Sequence, residues 1–233
     1  MKPIPISPSA FCCVELFQGL GDRIKEEVAR ASVGQSFDEG ETILTRDSSS
    51  EDVIFLLSGM VRISNFSVSG KEVTFREQGA GEVVGLLSAI DGKPRSADVT
   101  AVEKTLIART PRVTFQHCYR KHPEIAERIM THLASLVRLL SDRVNEFGTM
   151  TVKQRLYSEL LRLGVNCNCL DDEAIIANFP THIEIANRIA THREAVSREL
   201  SNLLSENLIR KIGKDIIITS ITTLRSRLDL GDA

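Results

Sequence analysis

The sequence lacks an apolar run long enough to span a lipid bilayer, although it has 233 residues. Its N-terminus, MKPIPISPSAF, has prolines where a secretory signal peptide has an apolar core. We therefore expect a protein without a membrane partner that stays in the cytoplasm. Hydrophobic residues make up 42% of the chain and charged residues 26%, a composition typical of a globular chain that can bury a core.

Cysteines at disulfide-framework spacing are also missing. The five cysteines are an odd number without regular spacing, which favours a reducing compartment over a disulfide scaffold. Cys12 and Cys13 are adjacent and have no partners at the spacing of an iron–sulfur cluster. Cys167 and Cys169 would need two more ligands to bind a metal, and His182 is the one candidate nearby. We therefore predict no metal site.

Motifs that mark catalytic sites are absent as well. The sequence has no nucleophile elbow, phosphate-binding P-loop, metalloprotease helix or carboxylate cluster, which predicts that the protein is not an enzyme. A surplus of positive charge is missing too, since the formal net charge is -2. This mean hides a local asymmetry, because residues 181–227 contain eight Lys or Arg against five acidic residues. The C-terminal segment is therefore mildly basic.

The first half of the chain has the pattern of short strands broken by turns. Apolar positions alternate, as in Val61 with Ile63 and Val73 with Phe75, which predicts strands with one buried face. Val-Ser-Gly at 68–70 predicts a hairpin turn. Short antiparallel strands at this spacing are typical of a β roll. The strand-like runs between about 36 and 112 are ETILTR, DVIFLLSG, MVRISNF, KEVTFREQ, EVVGLL and ADVTAVEKTLIAR.

Beyond about His117 the apolar period becomes that of a long helix ending near Gly148. Such a narrow stripe is what a two-stranded coiled coil presents to its partner, so we predict a homodimer joined along residues 129–147. A helix packed on its own β domain is the alternative. His117 and His122 flank the helix start, where haem ligation stays an alternative that no c-type attachment motif supports. The stripe consists of Ile125, Ile129, Leu133, Leu136, Leu140, Val144 and Phe147.

The last third predicts a winged helix. An amphipathic helix, VKQRLYSELLRL, is followed by a predicted loop that contains CNCLDDE. Two short helices then begin at Thr181 and Thr191, because both positions open Thr-His-x-Glu, the spacing of a capping box. The segment LIRKIGKDIIITS reads as a β hairpin. Helix, helix-turn-helix and hairpin in this order form a winged helix.

The second short helix has the pattern of a DNA-reading helix. Val196, Leu200, Leu203 and Leu204 share its predicted buried face. The preceding helix turns Ile185 and Ile189 inward and has small residues at Ala186 and Ala190. The second helix of a helix-turn-helix enters the major groove of DNA with its N-terminal residues against base edges. The predicted exposed face carries Arg193, Glu194, Ser197, Arg198 and Ser201.

The side chains on this face suit base recognition. Arginine binds the O6 and N7 of guanine with two hydrogen bonds, and glutamate accepts one from the N4 of cytosine. We predict that Arg193 and Arg198 each read a guanine and that Glu194 reads a cytosine on the opposite strand. The alternative is that Glu194, Arg198 and Glu199 form only surface ion pairs. The remaining residues of the predicted DNA contact surface are Ser197, His192, Thr181 and His182.

These motifs together resemble the CRP/FNR family of bacterial transcription regulators, over nearly the whole chain. The segment EIANRIATHREAVSREL is similar to the family's recognition motif, in which an Arg-Glu pair and a further Arg contact DNA. The matching residues are Arg193, Glu194 and Arg198. His192 stands where the family usually has Ser or Thr, so either Thr191 or His192 caps the helix.

The resemblance implies an α+β fold with three parts. The first is an N-terminal antiparallel β-roll domain, of the jelly-roll, cyclic-nucleotide-binding type, at residues 1–117. A dimerisation helix follows at 118–148, and a winged helix-turn-helix domain occupies 149–233.

The resemblance also implies an effector pocket. In cyclic-nucleotide-binding members, a Gly-Glu pair binds the ribose hydroxyl and a later Arg-Ser/Thr-Ala run binds the cyclic phosphate. The matching segment, VVGLLSAIDGKPRSADV, keeps Gly85 and the run Arg95, Ser96 and Ala97, but Leu86 replaces the Glu. The planar fork of an arginine suits a phosphate. Leu86 accepts no hydrogen bond, so a buried ribose hydroxyl would lose about 1–3 kcal/mol there.

The family's base-contacting Thr-Ser pair on the long helix matches Leu140 and Ser141. Ser141 can still touch a purine edge, whereas Leu140 favours packing. The leading effector is therefore a cyclic nucleotide, cAMP or cGMP. An Arg95 that only anchors the β roll is the alternative.

The sequence thus predicts a homodimeric, sequence-specific DNA-binding transcription regulator controlled by a cyclic nucleotide. We expect an inverted-repeat operator with half-sites resembling the family's TGTGA type, and RNA polymerase as a further partner. The alternatives are a member that senses something else or nothing, and a ligand-binding module without DNA readout.

Overall fold

The computed structural model describes residues 4–67, 70, 72–165, 169–170 and 172–230. It divides into two compact units, Met1–Val137 and Arg138–Ala233. Each unit is built from antiparallel sheets and helices, so the α+β prediction is confirmed. None of the helices formed by the described residues is both long and apolar enough to cross a membrane. The predicted turn residues 68 and 69 lie outside the described residues, as do Cys167 and Asn168.

The first unit is a β roll with helices packed on its outside. Its strands form two four-stranded antiparallel sheets, β1-β8-β3-β6 and β2-β7-β4-β5. Two short 3-10 helices, Pro8–Cys13 and Glu15–Phe17, precede the regular elements. These are α1 Asp22–Ala31, β1 Val33–Phe37, β2 Thr42–Leu44, β3 Val53–Ser58, β4 Met60–Phe66, β5 Glu72–Gly79, β6 Val83–Val84, α2 Leu86–Asp91, β7 Asp98–Ala101, β8 Thr105–Thr110 and α3 Arg112–Lys121.

The unit has two apolar cores because β3 and β8 bury apolar side chains on both of their faces. Inside the roll, Ile54 and Ile107 pack with Val61 and Val99 of the other sheet. On the outside, Phe55 of β3 packs with apolar residues of the helices, such as Phe115 of α3. Burial on both faces explains why β3 reads as a continuous apolar run rather than an alternating one.

Two predictions for this unit are wrong in detail. The run EVVGLL is not one strand, because Gly85 adopts a left-handed conformation (φ 82°) that ends β6 and starts α2. Val73 and Phe75 do not share the buried face of β5, where the buried residues are Thr74 and Gln78. A β-bulge between Ile63 and Ser64 shifts the register of the β4–β5 hairpin, which alternation alone does not reveal.

The long helix, α4 Pro123–Thr149, is shorter at its start than the predicted 118–148. His122 is extended (φ -123°, ψ 92°), since the residue before a proline is pushed out of the helical region. The predicted seam is wrong at Ile125 and Ile129, which are buried in the outer core of the chain's own first unit. Packing on its own β domain, the alternative, therefore holds for the first turns of α4.

The second unit has the order expected of a winged helix. Its sheet order is β11-β12-β10-β9, and buried residues of all four of its own helices form the core. The segment CNCLDDE is not a simple loop, because β9 pairs with β10 across it. A C-terminal helix, α8, was not predicted. The elements are α5 Val152–Val165, β9 Cys169–Leu170, β10 Glu173–Ile176, α6 His182–Arg188, α7 Arg193–Ser205, β11 Ile209–Ile212, β12 Asp215–Ile218 and α8 Ile221–Leu230.

The division between the units lies inside α4 rather than after it. The last turns of α4 belong to the second unit because an ionic cluster joins them to α5 and α6. Glu159 of α5 lies at its centre, with Arg143 Nη2 3.1 Å and Arg188 Nη1 3.4 Å from its carboxylate oxygens. We use the term ionic cluster for Arg143, Glu146, Glu159, Arg162 and Arg188.

Candidate DNA-binding and effector sites

The first helix of the helix-turn-helix begins with the predicted capping box. The backbone N–H of Thr181 donates to Glu184 Oε2 at 2.8 Å, and the N–H of Glu184 donates to Thr181 Oγ1 at 3.3 Å. Two otherwise unsatisfied donors are paired in this way, which anchors the start of α6. This part of the repeated Thr-His-x-Glu signal is confirmed.

The second copy of the signal does not form a capping box. His192 occupies the N-cap position of α7 in an extended conformation, and its side chain makes no capping hydrogen bond. Thr191 is buried, and its N–H donates to the carbonyl of Ala186 at 2.9 Å. Ala190 has a positive φ of 53°, which turns the chain sharply between the helices and rotates Thr191 inward. The second Thr-His-x-Glu sequence therefore precedes a helix, as predicted, but among the described residues no side chain caps the start of that helix.

The inner face of α7 holds the helix-turn-helix together. Val196, Leu200 and Leu203 are buried with Ile185 and Ile189 of the preceding segment, as predicted. Leu204 is exposed instead, because one residue step turns a helix by about 100° away from Leu203. The buried contacts fix which side of α7 points away from the core.

Three charged side chains occupy the outer face at the N-terminal end of α7. Arg193, Glu194 and Arg198 are exposed, and none of them makes a hydrogen bond or ion pair with any other described residue. Glu199 differs, because it accepts the hydroxyl of Tyr157 at 2.7 Å and the amide of Asn202 at 3.1 Å. The face thus keeps two arginines and one carboxylate available for a partner, as a base-reading helix requires.

His182 links the two helices of the motif. Its Nδ1 lies 2.6 Å from Ser197 Oγ, across the α6–α7 contact. Burial lowers the pKa of His182, and the neighbouring charges of Arg193 and Lys211 lower it further. These positive neighbours create a local field that favours an anion beside the ring.

The predicted wing is present as the β11–β12 hairpin. Ile212 pairs with Asp215 across the two-residue turn Gly213-Lys214, in which Gly213 has a φ of 61°. Lys211 and Lys214 are exposed on the hairpin. Arg210, by contrast, is paired with Glu173 at 3.1 Å. Lysines on a wing suit phosphate contacts, which position a protein on DNA without reading bases.

Residues that support α6 and α7 were missed in the sequence. Tyr157 is buried, and its hydroxyl donates to Glu199. Burial is the main cause that raises the pKa of Tyr157, and the hydrogen bond to the Glu199 carboxylate raises it further. Arg155 donates from Nη1 to the carbonyl of Ile189 at 2.6 Å, and Arg143 donates to that of Arg188 at 3.3 Å. Cations at the C-terminal end of α6 satisfy its last carbonyls. Only the tertiary contacts reveal these roles, because the three residues lie on other helices.

In the first unit, Gly85 and Arg95 are in direct contact. The Arg95 side chain is buried and donates from Nη1 to Gly85 O at 3.0 Å, from Nη2 to Asp52 O at 2.6 Å and from Nε to Ser50 Oγ at 3.0 Å. A Cβ built on Gly85 would lie 2.5 Å from Arg95 Nη1. Burial lowers the pKa of Arg95, with Asp52 acting against it. Among the described residues, no carboxylate is therefore bound directly to this buried guanidinium.

The other predicted effector residues are more scattered. Leu86 is buried and belongs to the outer apolar core, together with Phe55 and Phe115. Ala97 is buried beside an exposed Ser96, whose carbonyl accepts the amide of Asn65 at 3.2 Å.

Leu140 and Ser141 are both exposed and lie on the part of α4 that belongs to the second unit. Within the described ranges, no group of three or more His, Cys, Asp or Glu side chains is arranged to hold a metal ion.

Two family models match the chain in the order of its two units. A cyclic nucleotide-binding domain model matches residues 34–122, and a Crp-like helix-turn-helix domain model matches residues 154–227. The chain belongs to the CRP/FNR family of transcription regulators. This CRP/FNR regulator is therefore a DNA-binding protein with a cyclic-nucleotide-binding type of domain, and its family consists of regulators rather than enzymes.

Characterised relatives align over most of the chain. The CRP-like cAMP-activated global transcriptional regulator of Mycobacterium tuberculosis is 23% identical over 213 residues, which cover 91% of this chain and 95% of the relative. The cAMP-activated global transcriptional regulator CRP of Salmonella typhimurium is 25% identical over 178 residues, which cover 76% and 85%. These relatives support the regulator function along both halves of the chain.

Solved structures share the fold at low identity. A CooA mutant from Carboxydothermus hydrogenoformans covers 97% of this chain and 98% of its own, with a TM-score of 0.78 and 18% identity. FixK2 from Bradyrhizobium japonicum covers 87% and 99%, with a TM-score of 0.73 and 20% identity. At these identities the likeness establishes the β-roll and winged-helix fold.

Proposed function

We propose that this regulator binds an inverted-repeat operator as a homodimer and that Arg193, Glu194 and Arg198 read its bases. The observation that carries this proposal is that all three side chains are exposed and unpaired, within the described residues, at the N-terminal end of a helix whose opposite face is buried. Each arginine binds a guanine and Glu194 accepts from a cytosine. His182, Thr181, His192 and Ser197 complete the DNA contact surface.

The dimer forms along the outer face of α4. Met130, Val137 and Val144 recur at seven-residue spacing and are 63%, 62% and 72% exposed. Ala134 and Ser141 lie between them, so a core position with large side chains alternates with one that has small side chains. This seam replaces the predicted one, because Ile125 and Ile129 are already buried in the chain's own core. Two recognition helices would then meet half-sites about 34 Å apart.

A cyclic nucleotide is the proposed effector. Arg95 is buried and uses three of its N–H groups on the chain, which leaves two N–H groups and a full positive charge for a phosphate. Ser96 and Ala97 follow Arg95 in sequence, and Gly85, which precedes Leu86, accepts one of its hydrogen bonds. Leu140 and Ser141 are the base contacts that the family resemblance implies. The match to the cyclic nucleotide-binding model supports this assignment.

An effector-independent regulator is the second candidate. It is favoured by Arg95 itself, whose three hydrogen bonds tie the segment at 50–52 to Gly85 and would stabilise the roll without any ligand. RNA polymerase is the proposed protein partner of either form.

Measuring DNA affinity with and without a cyclic nucleotide distinguishes the two candidate functions. Fluorescence anisotropy with a labelled inverted-repeat duplex, alone and with saturating cAMP or cGMP, should show at least a tenfold gain in affinity with one nucleotide, roughly the coupling usual for allosteric effectors. Equal binding with and without either nucleotide would favour the effector-independent form. Absence of any preference for the inverted repeat over random DNA would contradict the operator proposal.

A further inference from the structure

Strand β5 turns polar side chains toward the inner core of the roll, and Ser64 of β4 lies on the same face. Ser64, Thr74 and Gln78 are 1%, 3% and 1% exposed. They lie beside Val61 and Ile63 of the inner core. Polar groups buried in apolar surroundings are normally hydrogen-bonded, because leaving one unpaired is unfavourable. A polar inner face therefore needs a partner.

The hairpin does not supply that partner. The hydroxyls of Ser64 and Thr74 make no hydrogen bond with the residues that the structure describes. The Gln78 amide donates to Glu82 Oε1 at 3.1 Å, but its own Oε1 is buried and has no hydrogen bond in the described part of the chain. These groups therefore keep unused hydrogen-bonding capacity inside the roll.

Arg76 lies on the same inner face. It pairs with the inward-facing Ile63 across the hairpin, two residues from both Thr74 and Gln78, and side chains alternate along a strand. Its guanidinium makes no hydrogen bond or ion pair with any described residue, although burial lowers its pKa. The outward-facing neighbour differs, since Arg62 is paired with Glu77 at 2.9 Å. Arg76 is thus an inward-facing cation with free donors.

A cavity of about 670 Å³ lies between α4, the segment 15–18 and the segment 81–83, and it adjoins the cluster through Glu82, which accepts from Gln78 at 3.1 Å. His132 of α4 lines it, and its Nε2 is buried without a hydrogen-bond partner among the described residues. Burial lowers the pKa of His132, and Arg76 is the charge that lowers it further. Glu82 also lines the cavity and acts on the pKa values of both Arg76 and His132. Arg76 and this cavity therefore belong to one neighbourhood.

We infer that Arg76 recognises the guanine edge of the bound nucleotide, so that the effector is cGMP in preference to cAMP. This inference rests on the proposed cyclic-nucleotide function and specifies its ligand. Guanine presents O6 and N7 as adjacent acceptors, which match the paired donors of an arginine. Adenine presents an amino donor beside N7, which an arginine cannot accept. Ser64, Thr74 and Gln78 offer further hydrogen bonds to the base.

The charge of the cavity favours the neutral base of a nucleotide over its anionic phosphate. Four carboxylates line the cavity, against a single arginine, Arg128, whose Nη1 is already bound to the carbonyls of Glu15 and Leu16. An anionic group would be repelled there, so the base, which is neutral, is the part of the nucleotide that suits a position beside these carboxylates. The carboxylates are those of Glu15, Glu82, Glu124 and Glu127.

Calorimetric titration of the full-length protein with cGMP, cAMP and cyclic IMP tests the inference. Cyclic IMP keeps O6 and N7 but lacks the 2-amino group. The natural protein should bind cGMP and cyclic IMP about 10- to 100-fold more tightly than cAMP, the discrimination of one paired contact. Arg76→Gln should bring cGMP and cAMP to within about threefold of each other, because glutamine pairs with adenine instead. Arg62→Gln, on the outer face of the same hairpin, is the matched control and should keep the preference.

The possible outcomes separate the two proposals. Equal affinity for all three nucleotides, or an equal loss for cGMP and cAMP in Arg76→Gln, overturns the role of Arg76 and leaves the cyclic-nucleotide effector standing. Binding of none of them by the natural protein overturns both. If Arg76→Gln does not fold, as judged by circular dichroism, the comparison of cyclic IMP with cAMP on the natural protein still decides.

Discussion

Arg143 of α4 and Glu159 of α5 form a buried ion pair, with Arg143 Nη2 3.1 Å from Glu159 Oε2. The pair lies in the ionic cluster that attaches the last turns of α4 to the winged-helix unit. It also positions Arg143, whose Nη1 donates to the last carbonyl of α6. The end of the long helix and the base of the helix-turn-helix are therefore held by one set of charges.

Removing the central carboxylate should destabilise the second unit strongly. Glu159→Gln leaves three arginines without their shared counter-charge, and loss of one partner of a buried pair costs about 3–5 kcal/mol. Urea unfolding followed by circular dichroism measures the free energy of unfolding. Glu173→Gln, which breaks the exposed pair with Arg210, is the control and should change it by less than about 1 kcal/mol. Equal effects of the two substitutions would contradict the importance of the ionic cluster.

Arg193 should contribute sequence preference as well as affinity. Arg193→Ala is expected to weaken binding to the best operator by about 1–3 kcal/mol and to relax the preference at one base pair. Gel shifts on an operator and on its single-base variants measure both the loss of affinity and the change in base preference. Arg225→Ala, exposed on α8, should leave binding unchanged. A uniform loss across all sequences would instead mean that Arg193 touches only phosphate.

A charged residue introduced into the proposed dimer seam should separate the two protomers without unfolding the chain. Val137→Glu places a carboxylate at a core position of the coiled coil, where two like charges would face each other. The side chain is 62% exposed in the single chain, so folding itself should be nearly unaffected. Sedimentation equilibrium should show monomer at concentrations where the natural protein is dimeric. Val113→Glu, on the exposed face of α3, is the control. A stable dimer of Val137→Glu would exclude this seam.

His182 should make DNA binding depend on pH. Burial and the positive charges of Arg193 and Lys211 hold its pKa below the ordinary value, so the ring is neutral in the free protein near neutrality. DNA phosphates favour the protonated ring, so binding takes up a proton, and affinity should rise as the pH falls from about 7 toward 5.

His182→Asn should flatten this pH profile, measured by anisotropy at constant ionic strength. His192→Asn is the comparison variant for a histidine of the same surface. An unchanged slope in His182→Asn would show that other groups take up the proton. The same lowered pKa predicts that folding stability falls as the pH drops from the ordinary pKa of a histidine toward the lowered pKa of His182, since the unfolded state takes up the proton first.

Much of the winged helix could be predicted because its signals are local. The capping box at Thr181 and the spacing of Val196, Leu200 and Leu203 depend only on residues within a few positions of each other. Strands β2 to β5 were recognised for the same reason, although the buried face of β5 was not, and the single predicted run ADVTAVEKTLIAR is two strands, β7 and β8. A bulge between Ile63 and Ser64 depends on the partner strand, and a register shift of one residue exchanges the two faces.

The sequence by itself indicated the order β roll, long helix and winged helix, the exposed face of α7 proposed to read bases, and Leu86 at the position of a family Glu. Only the tertiary structure decided what covers each apolar or polar face. A helical period reports that Ile129 is buried but not whether its own β roll or a second chain buries it. In the same way, the alternation of β5 does not tell whether Arg76 points to water or into the roll. These outcomes depend on contacts between residues far apart in sequence, and it is those contacts that set the energy of each buried group.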